Sequence, residues 1–105
     1  MIYQIKSNDE YVDIVKNLGD KLLVIDFMAN WCMPCKKLSR PLEELSNKYP
    51  NVVFIKIDVD EFEELATLYN VNAMPTIVFG KSNKILEQFS GADINKIESV
   101  VQKYI

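Results

Sequence analysis

The sequence of 105 residues contains no histidine and only two cysteines, Cys32 and Cys35. A closed structural zinc site takes about four ligands, most of them cysteine or histidine. One chain cannot assemble such a site from two cysteines. The same count excludes the framework of several disulfide bonds that stabilises small secreted domains. Any sulfur chemistry of cysteine in this protein must therefore involve this one pair.

Long apolar runs and a positive net charge are also absent. No run of apolar residues exceeds four, whereas a membrane-spanning helix needs roughly 20. The net charge is -3, and the chain has no basic stripe that would bind phosphates. We therefore expect neither a membrane nor a nucleic acid as partner. The composition, 49% hydrophobic and 26% charged, is typical of one globular domain covering residues 1–105.

The beginning of the chain, from Met1 to Lys6, lacks the charged start and the apolar stretch of a secretory signal peptide. A single pair of cysteines with reactive spacing and no further bridges is typical of proteins in a reducing compartment. We therefore expect a cytoplasmic protein. A mature organellar form that had lost a presequence would have the same sequence, so that alternative stays open.

The periodicity of apolar residues predicts strands and helices in the order β-α-β-α-β-α-β-β-α. The predicted strands cover residues 1–5, 22–28, 52–57, 76–79 and 84–89. The predicted helices cover residues 8–19, 32–48, 60–70 and 94–104. Ser7 and Glu10 form a capping box before the first helix, and Asp58 and Asp60 are expected to cap the third. Strands joined by helices run parallel and the hairpin adds an antiparallel strand, so we expect an α/β fold, a central mixed sheet with helices on both faces.

The two cysteines lie in the segment Trp31-Cys32-Met33-Pro34-Cys35-Lys36, which directly follows the second predicted strand. This position places one thiol between the end of a strand and the start of a helix. Unpaired N–H groups and a partial positive charge at a helix start stabilise a thiolate, so we expect a lowered pKa for that thiol. Two cysteines three residues apart in a first helical turn also lie close enough to form a disulfide.

Three interpretations are open for such a cysteine pair: a redox pair, half of a metal site, and an inert structural bridge. A metal ion or an iron–sulfur cluster shared between two chains would have four thiolates. A structural bridge across so short a loop removes little entropy from the unfolded chain. The spacing and the position before a helix favour the redox interpretation.

The chain resembles the thioredoxin family over essentially its whole length. The matching features are Asp26-Phe27, the Trp-Cys-x-Pro-Cys-Lys segment at 31–36, Pro41, Met74-Pro75-Thr76 and Phe89-Ser90-Gly91-Ala92. The resemblance implies the thioredoxin fold and a protein-disulfide reductase that serves cell redox homeostasis, with a redox-active disulfide and neither a bound cofactor nor a metal. It also implies two kinds of partner, an NADPH-dependent thioredoxin reductase and disulfide-containing target proteins such as peroxiredoxins. We expect a monomer.

The resemblance assigns roles to three residues at the thiols. Cys32 corresponds to the exposed nucleophile that attacks a target disulfide, and Cys35 to the buried thiol that then releases the reduced target. Asp26 corresponds to a buried carboxyl group behind Cys35 that exchanges a proton with it. Burial in an apolar strand disfavours the charged form of an acid, so the pKa of Asp26 should be raised. Lys56 is expected near this acid, where it either tunes the charge of Asp26 or is simply solvated.

In the family, a cis-proline loop and its neighbours bind the substrate backbone as an added strand would. The resemblance implies that the corresponding residues of this chain surround Cys32. They are Trp31, Met33, Pro34, Ala73, Met74, Pro75, Gly91 and Ala92. Simpler interpretations are that Trp31 packs on its loop and that Pro75 is a trans turn residue. For Pro41 we favour a purely structural role. The alternative to a capping role for Asp60 is a position in a surface that contacts a partner or a second copy of the chain.

The chain departs from the family pattern at a few positions. Met33 stands where glycine is usual, and it projects an apolar, oxidisable side chain beside the nucleophile. The target preference and redox potential usual in the family therefore do not carry over to this chain. The histidine of the more oxidising relatives is absent, which favours a reductant. Gly80 replaces a strand residue that is often bulky, so we expect a local loss of stability. Asn83 is expected to adopt positive φ in the hairpin turn.

Three functions remain open from the sequence. The favoured one is a general redox carrier that reduces protein disulfides. The second is a binding module in which the dithiol is incidental. The third is a specialised redox protein, with targets narrowed by Met33 or with glutathione or cluster chemistry.

Overall fold

The computed structural model describes all residues 1–105 and contains the predicted elements in the predicted order. The strands are β1 (Ile2–Gln4), β2 (Leu23–Met28), β3 (Val53–Asp58), β4 (Thr76–Lys81) and β5 (Lys84–Ser90). The helices are α1 (Asn8–Lys16), α2 (Met33–Lys48), α3 (Glu63–Leu68) and α4 (Ile94–Tyr104). No helix combines the length and the apolar character that a membrane crossing requires.

The five strands form one mixed sheet in the order β1-β3-β2-β4-β5. β2 lies in the middle, parallel to β3 and antiparallel to β4. In this register Asp26 stands opposite Lys56 of β3 and opposite Ile77 of β4. β1 continues the parallel part at one edge, and β5 adds the antiparallel hairpin strand at the other. The predicted mixed α/β sheet is confirmed.

Two helices cover each face of the sheet, as predicted. Successive strand residues point to opposite faces, and β2 is buried on both. Val24 packs in the core formed with α2 and α4, whereas Leu23 and Ile25 pack in the core formed with α1 and α3. Asp26 lies two residues beyond Val24, so its carboxyl group points to the face that α2 covers.

α1 begins as predicted but is shorter than predicted. Ser7 is its N-cap, and the Ser7 Oγ accepts a hydrogen bond of 3.1 Å from the N–H of Glu10. The helix ends before Gly19 because Asn17 closes it: the N–H and the Nδ2 of Asn17 both donate to the carbonyl oxygen of Asp13. Gly19 lies in the turn that follows, with φ of 62°.

The start of α3 also differs from the prediction. Its N-cap residue, Phe62, makes no side-chain hydrogen bond to the helix. Asp58 instead caps the preceding turn, where its Oδ1 accepts from the N–H groups of Asp60 and Glu61 at 2.9 and 3.3 Å. The predicted capping role of Asp60 is therefore wrong, and its carboxylate is available for another contact. Asn70 follows the helix with φ of 55°.

The hairpin turn between β4 and β5 consists of Ser82 and Asn83, with φ of 53° and 63°. Positive φ at both positions is typical of the type I′ turn that suits the twist of two paired strands. The prediction for Asn83 is confirmed, and Ser82 adopts the same conformation. Gly80 lies at a shift in register, where an added Cβ would lie 3.3 Å from the carbonyl oxygen of Lys84. The missing side chain thus permits the close approach of the two strands.

Candidate active site

Cys32 stands at the junction of β2 and α2, where it is the N-cap residue of the helix. Its N–H donates to the carbonyl oxygen of Ala29 at 3.1 Å, and its Sγ accepts from the N–H of Cys35 at 3.2 Å. Pro34 lies in the first turn of the helix, where a residue without an N–H leaves no hydrogen bond unmade. The local sequence therefore places the sulfur of Cys32 directly at the positive end of α2.

Cys32 and Cys35 form a disulfide, with their Cα atoms 5.3 Å apart. The chain has no other cysteine. Because both residues belong to one helical turn, the bridge can open and close while the backbone around it stays in place. The arrangement therefore supports reversible two-electron chemistry at sulfur.

Both sulfur-bearing residues are buried in this disulfide form. Cys32 is 3% exposed and Cys35 is 4% exposed. The expectation of an exposed Cys32 is therefore wrong for the disulfide form. The physical reason is the packing of Met28, Val59 and Met74 against the cysteines and Ala29. Any thiol that attacks the disulfide must approach it past this apolar rim.

Asp26 is 1% exposed, and neither of its carboxylate oxygens has a hydrogen-bond partner. Burial disfavours the charged carboxylate and raises the pKa of Asp26 from 3.8 to about 6, while the positive charge of Lys56 opposes this shift. The expected raised pKa is confirmed in direction and cause. An acid of this kind can hold or release a proton near neutral pH.

A cleft of about 200 Å³ joins Asp26 to Cys35. Its walls come from β2, the loop after β2, α2 and β3. The lining residues are Asp26, Met28, Ala29, Asn30, Cys35, Lys36, Ser39 and Lys56. Asp26, which the resemblance places behind Cys35, therefore lines the same cleft as Cys35.

Lys56 is half-buried beside this cleft. Its Nζ donates to the Oγ of Ser39 at 3.4 Å, and that Oγ donates to the carbonyl oxygen of Cys35 at 3.3 Å. Sequence reasoning missed Ser39, although its position four residues after Cys35 places both on one side of α2. Of the two expectations for Lys56, the electrostatic effect on Asp26 is the one that the structure supports.

The loop before β4 carries the Met74–Pro75 peptide bond in the cis form, as predicted. Two hydrogen bonds fix this loop. The Oγ1 of Thr76 donates to the carbonyl oxygen of Ala73 at 2.5 Å, and the N–H of Gly91 donates to the carbonyl oxygen of Pro75 at 2.9 Å. Met74 packs against the cysteines. Its own N–H and carbonyl oxygen have no hydrogen-bond partner within the chain.

Trp31 is 65% exposed, and its indole Nε1 donates to the Oδ2 of Asp60 at 2.9 Å. The ring therefore projects from the surface next to Cys32 while one edge is fixed. Sequence reasoning missed this role of Asp60, because 29 positions separate the two residues. The simpler expectation, that Trp31 packs on its own loop, is wrong because the ring is mostly exposed.

The structure brings together Cys32, Cys35, Asp26, Met74, Pro75 and Gly91 through packing, the shared cleft and the loop hydrogen bonds. Trp31, Met33 and Pro34 adjoin them in the chain, and all three are exposed. The hydrogen bond from Thr76 fixes Ala73 at the proline loop. Ala92 is exposed, and only its chain neighbour Gly91 connects it to the site.

Met28 and Val59 belong to the site but were not predicted. Met28 is the last residue of β2 and Val59 directly follows β3, and the N–H of Val59 donates to the carbonyl oxygen of Met28 at 2.9 Å. The carboxyl ends of parallel strands meet at one edge of a sheet, so the predicted parallel pairing was a signal that could have found them. No group of three or more histidine, cysteine, aspartate or glutamate side chains is arranged to hold a metal ion.

The thioredoxin family model matches residues 3–103. The chain is 40% identical to thioredoxin of Callithrix jacchus and 38% identical to thioredoxin of Homo sapiens, with all of each chain covered in both cases. Among solved structures, the germline-specific thioredoxin Deadhead of Drosophila melanogaster superposes with a TM-score of 0.93 and 40% identity, covering 97% of this chain and 98% of that one. Fasciola hepatica thioredoxin superposes with a TM-score of 0.93 and 35% identity, covering 98% and 99%.

We predict that Asp26→Asn stabilises the disulfide form in a pH-dependent way. Between pH 3.8 and about 6 the folded protein keeps the proton of Asp26 while the unfolded chain has lost it, so stability falls as pH rises through this window. At about 1.4 kcal/mol per pKa unit, the variant should gain about 3 kcal/mol in free energy of unfolding near pH 7.5 and almost none near pH 4. Urea unfolding at both pH values measures this.

The exposed acid Asp20 offers the matched control, since Asp20→Asn removes the same charge without a buried group. An equal stabilisation by Asp26→Asn at both pH values would show that packing, and not the buried charge, causes the effect.

We also predict that Asp60 restrains the indole of Trp31. A hydrogen bond of this kind contributes about 1 kcal/mol, so Asp60→Ala should increase the amplitude of fast indole rotation, whereas Asp60→Asn keeps an acceptor oxygen and should change it less. Trp31 is the only tryptophan, so time-resolved fluorescence anisotropy reports on it alone. Glu61→Ala is the neighbouring control, and equal mobility in all variants would contradict the restraint.

Proposed function

Because the chain belongs to the thioredoxin family, we propose that it works as a general protein-disulfide reductase. It is a protein-disulfide oxidoreductase with a redox-active disulfide, as the members of this family are. The observation that carries the proposal is the Cys32–Cys35 pair at the start of α2, beside a buried carboxyl group.

In the first step the thiolate of Cys32 attacks one sulfur of a target disulfide. A mixed disulfide forms between Cys32 and the target, the target's own S–S bond breaks, and its second sulfur leaves as a thiolate. The N-terminus of α2 favours the attacking thiolate through its positive partial charge. The N–H of Cys35, which donates to the Sγ of Cys32, stabilises the same charge.

In the second step Cys35 attacks the Sγ of Cys32 and closes the internal disulfide. The target leaves with both sulfurs reduced, and two electrons have passed from the dithiol to the target. Cys35 must first lose its proton. Asp26 accepts it across the shared cleft, because its pKa of about 6 leaves the carboxyl group mostly ionised at neutral pH yet basic enough to take a proton.

Target binding uses the apolar surface around the disulfide. Met74 offers an unpaired N–H and carbonyl oxygen at the cis-proline loop, and an extended target segment can pair with them as an added strand would. Trp31, Met33 and the residues at Gly91 and Ala92 border this position. Apolar contacts and backbone hydrogen bonds depend little on target sequence, which supports action on many proteins.

The proposed electron donor is an NADPH-dependent thioredoxin reductase, and the proposed targets include peroxiredoxins. Family membership supports both. We further propose that the protein acts as a monomer in the cytoplasm and contributes to cell redox homeostasis. The absence of a histidine between the two cysteines supports the reducing direction, since that residue marks the more oxidising relatives.

A specialised redox protein is the second candidate, and Met33 is the observation that favours it. Its side chain is 59% exposed beside the disulfide, where it can narrow the range of targets. A binding module with an incidental dithiol is the third candidate. It would keep its role in cells after both cysteines were replaced by serine, whereas either redox function would be lost.

We predict that this protein supports rapid NADPH oxidation with thioredoxin reductase and insulin as disulfide substrate. Cys32→Ser should reduce the rate to background, because the thiol that attacks the target disulfide is removed and the internal disulfide cannot form. No consumption by the wild type, although its dithiol can be titrated, would contradict the general function and indicate another reductant or a restricted set of targets.

We also predict that Cys35→Ser accumulates mixed disulfides with target proteins, since the first step proceeds and the second cannot. Non-reducing electrophoresis of a cell extract, followed by mass spectrometry of the bands that dithiothreitol releases, measures this. The variant with serine at both positions is the control. Capture by Cys32→Ser instead of Cys35→Ser would reverse the proposed roles.

A further inference from the structure

Methionine is concentrated at the disulfide. The chain has four methionines, and three of them stand beside Cys32 and Cys35. Met28 and Met74 are half-buried and pack against the cysteines, whereas Met33 is the next residue after Cys32 and is 59% exposed. Met33 is therefore the most exposed of the three methionines beside the disulfide.

The fourth methionine, Met1, provides an internal comparison. It is 79% exposed, so solvent reaches its sulfur at least as easily. Its amino group donates to the Oγ of Ser46 at 2.8 Å, near the end of α2 remote from the disulfide. At about 1.5 Å per residue along the helix, this position lies about 20 Å from Met33. Oxidation at Met1 should therefore leave the disulfide surface unchanged.

We propose that Met33 is a modification site at which a hydroperoxide, by oxidising the thioether, weakens the binding of protein disulfides. This inference rests on the proposed reductase function. The sulfur of Met33 attacks one oxygen of the peroxide, an S=O bond forms and the O–O bond breaks. Sulfur loses two electrons. The second oxygen takes up the proton that the attacked oxygen releases, and it leaves as water, or as an alcohol if the peroxide is organic.

The expected consequence follows from the burial of the cysteines. Cys32 is only 3% exposed, so a target must press against its neighbours before sulfur can reach sulfur. Trp31 and Met33 are large apolar side chains that are mostly exposed there, and a docked target covers them. A sulfoxide is a polar, strongly accepting group, and covering it without a donor costs free energy that a thioether does not cost.

A small reagent needs no such surface. Dithiothreitol reduces the Cys32–Cys35 disulfide by direct exchange and covers little of the surrounding protein. Oxidation of Met33 should therefore slow the reaction with protein disulfides much more than the reaction with dithiothreitol. This difference separates a docking effect from damage to the disulfide itself.

The test starts from the disulfide form, in which neither cysteine is a free thiol that peroxide could oxidise. Wild type and Met33→Leu are treated with hydrogen peroxide, the peroxide is removed, and peptide mass spectrometry measures sulfoxide at each methionine. Two rates are then compared before and after treatment: insulin reduction with NADPH and thioredoxin reductase, and reduction of the disulfide by dithiothreitol. The readout is the ratio of treated to untreated rate for each protein.

In wild type, sulfoxide should form at Met1 and Met33 ahead of Met28 and Met74. The kcat/KM for insulin should fall by about threefold or more, while the dithiothreitol rate changes less than about twofold. Met33→Leu, whatever its starting activity, should keep its insulin rate after treatment. Met33→Gln, which carries a polar side chain of similar length, should raise the KM for insulin without peroxide.

Several results would overturn the proposal. They are sulfoxide at Met1 with none at Met33, an unchanged insulin rate in wild type oxidised at Met33, and an equal loss in Met33→Leu. A failure of the proposed reductase function is seen earlier and separately, because untreated wild type would then not reduce insulin at all.

Discussion

The site depends above all on the backbone pairing of β2 with β3 on one side and with β4 on the other. The parallel pairing brings the ends of β2 and β3 to one edge of the sheet, and the antiparallel pairing brings the start of β4 to the same edge. Three loops therefore converge there: the cysteine loop, the segment at Val59 and Asp60, and the cis-proline loop. A shift in the register of β2 would separate the disulfide from the surface that is proposed to bind its targets.

The buried carboxyl group of Asp26 is the unfavourable element of this arrangement. It is buried without a hydrogen-bond partner, and Lys56 offsets only part of the cost of its charge. A core of large apolar residues on both faces of the sheet supplies the stability that tolerates it. The same burial that destabilises the ionised form brings the pKa near neutral pH, so the cost and the proposed proton transfer have one cause.

Much of the fold followed from local sequence patterns. Apolar periodicity predicted the order of the elements, the mixed sheet and the helices on both faces, and the position of Asn83 predicted its positive φ. Helix ends were predicted less well, because competing side chains decide them. Asn17 closes α1 before Gly19, Asp58 caps the turn before α3 instead of the helix itself, and Asp60 accepts a hydrogen bond from Trp31. The residues of the site were mostly predicted by resemblance, since proline loops and cysteine pairs carry short, specific motifs.

The sequence alone determined which groups can react: two cysteines in one helical turn, one acid in an apolar strand, and no histidine. These properties are local, because covalent spacing and helix geometry determine them. Only the tertiary structure decided what surrounds these groups. Burial of Cys32 by Met74 and Val59, the hydrogen bond from Trp31 to Asp60 and the cleft shared by Asp26 and Cys35 all join residues distant in the chain. Such contacts depend on how the strands pair and the helices pack, which periodicity does not specify.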